Sequence, residues 1–204
     1  MMRRRRSNES GVAAVEMALL LPVIALLFFG AVEYGFAWSS ASKVESASAS
    51  AARVAAQAGD EDLADWEVLQ AVRGALGADT SSVERVVVYN STAPDGTVPA
   101  ACMTVSAYAS GGVAGLCSVY GSDDLGSLSL ATFTSGGSHG GGAGNPCGGS
   151  LADGWCPDDR VDTGGVPTMI GVHISYTQSR VTQFLPGLGE DITTHAVARL
   201  EPST

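Results

Sequence analysis

The side chains able to do chemistry are few and scattered. Three histidines stand at His139, His173 and His195. His139 lies inside a glycine run, and the other two occupy polar positions of alternating segments. Nucleophilic catalysis needs a base beside an activated hydroxyl or thiol. No Gly-x-Ser-x-Gly elbow or phosphate-binding loop occurs in the chain. Each histidine is therefore expected to be a solvated surface residue, and the chain is not expected to be an enzyme. Asp153, Asp158, Asp159 and Asp162 lack the spacing of an EF-hand loop, so no calcium site is expected. The four cysteines, Cys102, Cys117, Cys147 and Cys156, contain no Cys-x-x-Cys pair and no histidine at ligand spacing. They are expected to form two structural disulfides, in any of three connectivities. No metal and no cofactor is expected.

Glu16 is placed differently. It stands at the edge of an apolar stretch that runs from Gly11 to Trp38, and between Met17 and Val32 that stretch carries no charge. Counted from Val12, it exceeds the ~20 residues a helix needs to cross a ~30 Å hydrocarbon core. A carboxylate deep in that core costs roughly 2.5–3.5 kcal/mol and calls for a partner. Arg3 to Arg6 precede the stretch and no comparable basic cluster follows it. The arginines stay cytoplasmic, so the expectation is a single-pass membrane protein with its N-terminus inside and its C-terminal domain outside. Glu33 falls at the outer interface, where it reads either as a solvated carboxylate or as a contact between subunits. Tyr34 and Trp38 beside it fit an aromatic belt. Pro22 is tolerated inside a membrane helix, where neighbouring groups satisfy the freed carbonyl. A secretory signal peptide would have a shorter apolar core and a small-residue cleavage site, for which Ser39-Ser40-Ala41 is a poor substitute.

Basic residues, Gly11, and Glu16 five positions later resemble the leader of type IV prepilins. The longer stretch GVAAVEMALLLPVIALLFFGAVEYG, with AARVAAQAG after it, resembles the TadE/TadG-like pseudopilins of the tight-adherence (Flp) pilus system. That resemblance implies cleavage by a prepilin peptidase between Gly11 and Val12. It implies that Glu16 pairs with the new N-terminal ammonium of a neighbouring subunit. Met17 follows the glutamate where the major Flp pilins have tyrosine, which points to a minor component. The implied partners are the membrane, the peptidase, other Tad/Flp subunits and the inner-membrane platform. The implied function is assembly of an Flp-type pilus or related secretion machine. The alternative is an unprocessed, membrane-anchored extracytoplasmic binding or envelope protein.

Composition fits this division. The 204 residues carry a formal net charge of -10, and removal of residues 1–11 leaves 7 basic and 20 acidic side chains. An acidic head is no nucleic-acid binder, since phosphate contacts need Lys and Arg. No small-molecule substrate is evident.

The elements read as follows. A basic leader covers 1–11, the membrane helix 12–38, and a helical spine 39–58. Ala41, Val44, Ser48, Ala51, Ala55 and Ala58 recur at helical spacing, a stripe of small residues that lets another backbone come close. The head, 59–204, begins with a second helix over about 62–76, with Leu63, Trp66, Leu69, Val72 and Leu76 on one side. Strands follow at 84–90 and about 101–108. Residues 109–165 hold 16 of the 26 glycines and are expected to be a flexible loop. Two alternating, half-buried strands close the chain, from Met169 to Thr177 and from Ile192 to Leu200. The expected class is α+β: a long membrane-spanning helix continuing into a head with a second helix and an antiparallel sheet.

Overall fold

The computed structural model describes residues 9–93, 95–133, 154–160, 169–178 and 191–200. Its spine is a single helix of 50 residues, α1 (Glu9–Ala58). Pro22 lies within it. It stops at Gly59, whose backbone turns to φ +55° while its N–H still reaches Ala55 O at 3.1 Å. The second helix, α2 (Ala64–Leu76), doubles back along α1 and buries Val68, Leu69, Val72 and Leu76.

From there the chain enters the sheet. Strand β1 (Val83–Asn90) lies at its centre. The strand expected over 101–108 is instead a 3-10 turn, Ala100–Met103, and a short helix α3 (Val105–Ser110). Capping overrides the alternating pattern. The Thr104 hydroxyl accepts the Ala107 N–H at 3.1 Å, and Gly111 ends the helix in the left-handed region at φ +78°.

The loop expected over 109–165 also needs correction. It contains β2 (Gly112–Val113), β3 (Cys117–Gly121), and the short helices α4 (Ser122–Gly126) and α5 (Leu130–Phe133). All five residues of β3 are buried. The glycine count of the region hides this strand, because its densest glycine run, 136–144, lies elsewhere and outside the described residues. The last two strands are β4 (Met169–Thr177) and β5 (Asp191–Arg199).

The sheet order is β2-β3-β1-β4-β5, with every neighbouring pair antiparallel. Alternation gives the sheet two faces. Val86, Val88, Tyr120, Ile170, Val172 and Ile174 face α1 and α2, together with Val44, Ala47, Ala51 and Ala55 of the spine. Val87, Tyr89, Cys117 and Val119 face the other way, against Cys102 and Ala107. Both faces are thus covered over β1, β3 and β4, while edge strand β5 stays partly exposed, and β4 is buried along seven consecutive residues where a half-buried strand is expected. The architecture is α+β as expected, with a five-stranded antiparallel sheet.

Candidate functional site

Among the described residues, the exposed large apolar side chains gather on the first half of α1. Val12 is 61% exposed and Leu27 67%, and Gly11 has open space where a side chain would stand. Glu16 is exposed on the same helix. The apolar stretch there is not buried by any of the described residues. A helix apolar on every side needs a non-aqueous or protein environment all round it. By length and composition α1 can cross a membrane.

The second half of α1 behaves oppositely. Val44, Ser48, Ala51, Ala55 and Ala58 are buried, and this stretch packs on α2, β4 and β5. Ser48 Oγ comes within 3.4 Å of Thr194 Oγ1 on β5. The small-residue stripe therefore seats the head's own sheet close to the spine. The two halves meet around Glu33, which is 7% exposed and so is not a solvated carboxylate. Tyr34 and Trp38 remain exposed one turn apart, with ring centroids 6.5 Å apart.

Inside the head, a buried ionic cluster ties down residues 154–160. Arg160 is fully buried, and its Nη2 lies 2.7 and 2.9 Å from the two oxygens of Asp65 on α2. The same nitrogen donates to Trp155 O at 2.9 Å, and the guanidinium stands 4.8 Å over the Trp155 ring. Tyr120 Oη donates to Asp65 Oδ2 at 2.6 Å, and burial followed by the Asp65 charge raises the Tyr120 phenol well above its usual range. Backbone contacts complete the strap: Trp155 N–H reaches Cys117 O at 3.2 Å, and Ser118 Oγ donates to Trp155 O. Sequence reasoning missed this cluster. Its signal was Arg160, the sole cation between Arg85 and Arg180, standing near a tryptophan.

The far face of the sheet carries a second polar group. His173 on β4 is opposite His195 on β5 in the register. His173 is only 6% exposed, so the expectation of a solvated histidine fails for it, whereas His195 is exposed. Covering of this face by the 95–98 segment and α3 is the physical reason. Burial, then His195, then Arg85 push His173 down to about 4. Its Nε2 lies 3.1 Å from Ser175 Oγ. Nearby, Tyr89 Oη donates to Gly96 O at 2.6 Å, and burial with the Asp95 charge pushes the phenol up to about 12. The Asp95 carboxyl is held below its usual range by the Thr97 N–H and hydroxyl.

Cys102 and Cys117 form a disulfide that joins the 3-10 turn to β3, with Cα atoms 6.2 Å apart. Cys156 is disulfide-bonded too. Cys147, His139, Asp153, Asp162 and residues 1–8 lie outside the described residues.

Of the sequence-predicted positions, Gly11, Val12 and Glu16 share the free end of α1, while Glu33, Tyr34 and Trp38 mark where the spine meets the head. No curated protein and no solved structure matches this chain. Residues 11–53 match the family model described as TadE-like protein, a span that starts at Gly11 and covers the free apolar helix and most of the buried stripe. Residues 11–53 of this chain are therefore a TadE-like segment, of the family its N-terminal motif resembles.

Proposed function

We propose that this chain is a minor pilin or pseudopilin that takes part in assembling an Flp-type pilus or related secretion machine. The observation that carries this reading is the coincidence of the TadE-like match, residues 11–53, with a helix whose apolar half is left uncovered by the described residues. Arg3 to Arg6 would hold the N-terminus in the cytoplasm, leaving the acidic head outside. A prepilin peptidase would cut between Gly11 and Val12. Glu16, exposed on α1, would then meet the new ammonium of a neighbouring subunit, which offsets its cost in lipid. The role is one of assembly, with no catalysis by this chain. Partners are the membrane, the peptidase, other Tad/Flp subunits and the inner-membrane platform.

The fold narrows how such packing works. The stripe from Val44 to Ala58 is used by the head itself. Lateral contacts between subunits therefore fall on the exposed surface of α1 before it. The second reading, an unprocessed anchored protein with a binding or envelope role, draws on an open cleft of about 560 Å³ lined by Thr80, Ser81, Ser122, Asp123, Gly126 and Ser127.

The test is N-terminal sequencing with intact mass on protein from its native membrane. The expected start is Val12, lost when Gly11 or Glu16 is replaced. A start at Met1 removes the peptidase and favours the static anchor. A start near Ser42 makes the head a secreted domain and overturns the proposal.

A further inference from the structure

We propose that His173 and His195 together bind one divalent transition-metal ion of the Zn²⁺ or Cu²⁺ class, on the sheet face turned away from α1. This inference does not depend on the assembly role. It starts from the strand register, in which the two histidines are direct cross-strand partners. The Ser91 N–H donates to Met169 O at 2.8 Å, which points the odd-numbered backbone groups of β4 toward β1. His173 and His195 therefore form a pair without mutual backbone hydrogen bonds. In such pairs the Cα atoms are about 4.5 Å apart and the side chains are at their closest.

The rings are prepared unequally. His173 Nε2 is engaged by Ser175 Oγ at 3.1 Å, while its Nδ1 is buried and has no hydrogen-bond partner. In the tautomer whose Nε2–H donates to the serine hydroxyl, Nδ1 carries the lone pair that a metal would take. Metal-bound histidines are commonly held in this way, with one nitrogen hydrogen-bonded and the other ligating. His195 is exposed and gives the ion its entry.

Among the described residues, Asp95 and Arg85 carry the charges that act on the pair. Asp95, in the segment covering this face, supplies a negative charge that interacts with His195. Arg85 on β1 is the opposing cation, but its Nη1 is engaged by Met103 O at 2.9 Å and its guanidinium stands 5.6 Å from the Tyr108 ring. No group of three ligating His, Cys, Asp or Glu side chains is gathered among the described residues. The proposed site is these two imidazoles, with water completing the shell. Imidazole ligands select zinc, copper or nickel and disfavour calcium and magnesium.

The experiment uses the full chain in detergent, stripped with chelator and titrated with Zn²⁺ and separately with Cu²⁺ at neutral pH. One ion per chain is expected, and the Cu²⁺ complex should show two imidazole nitrogens by electron paramagnetic resonance. His195→Asn should weaken binding at least tenfold while leaving the metal-free thermal midpoint unchanged. His139→Asn, at the third histidine, should bind as the wild type does. Where the buried His173→Asn fails to fold, His195→Asn carries the comparison. Absence of a saturable single site, wild-type binding by His195→Asn, or loss of binding in His139→Asn each overturns the proposal.

Discussion

Asp65 and Arg160 show how much one residue pair decides in this head. A buried ion pair is often no more stabilising than apolar residues of its size, yet removing one partner strands the other charge. Arg160→Met leaves the Asp65 carboxylate with the Tyr120 hydroxyl alone. A loss of about 3–5 kcal/mol is expected for it, and a much smaller change for Asp65→Leu with Arg160→Met. Urea unfolding of the full chain in detergent separates the two, and equal losses would mean that volume matters more than charge. Tyr89 makes a different residue-scale prediction. Its phenol ionises near 12 in the folded chain against 10.0 ordinarily. Between those values the unfolded chain gives up its proton first, so stability is complete below pH 10 and falls as pH rises toward 12. The loss is about 2–3 kcal/mol, since each pKa unit is worth about 1.4 kcal/mol. Tyr120 is shifted in the same direction, so Tyr89→Phe should flatten the alkaline slope in part. An unchanged slope in Tyr89→Phe would show that the phenol is not shifted as its burial requires.

At the scale of elements, long periodic segments were legible and short capped ones were not. α1, α2, β1, β4 and β5 each repeat one pattern long enough to be read from apolar spacing. Residues 101–108 alternate like a strand, but Thr104 and Gly111 supply two helix caps, and the Cys102–Cys117 bridge fixes the turn beside β3. β3 is five residues long and lies in glycine-rich surroundings, so composition masked it. Whether His173 is buried depends on what covers the second face of the sheet, and no local pattern records that. Asp65 and Arg160 are 95 residues apart and meet only through the fold. The small-residue stripe was legible as a stripe, while its partner was not: the sheet of its own head occupies it. This gives a test at the element scale. Ala51→Leu inserts bulk between α1 and the sheet, where Ala51 is fully buried, and should destabilise the head by about 1–3 kcal/mol. Ala31→Leu, on the exposed part of α1, should leave head unfolding unchanged. If Ala51→Leu is equally silent, the spine does not sit against the sheet.

The whole molecule is a head fixed to one end of a rod whose other end is apolar on all sides, and magnitudes decide how firmly that rod would hold it in a bilayer. Residues 12–32 contain twelve Leu, Ile, Val and Phe residues. At −0.3 to −0.6 kcal/mol each, they favour insertion by roughly 4–7 kcal/mol. One arginine near the middle costs about 3 kcal/mol, so Leu27→Arg alone should leave the chain inserted. Adding Leu20→Arg raises the cost to about 6 kcal/mol, enough to cancel most of the gain. Both leucines are exposed and touch none of the head's core, so the changes act on insertion and not on folding. After alkaline extraction, the wild type and Leu27→Arg should sediment with the membrane, and the double variant should be released with its head still folded. Sedimentation of the double variant would mean that something besides α1 anchors the chain. Release of the single variant would mean that Glu16, Pro22 and the glycines already bring the helix close to the limit of insertion, and that it depends on neighbouring helices to stay in the membrane.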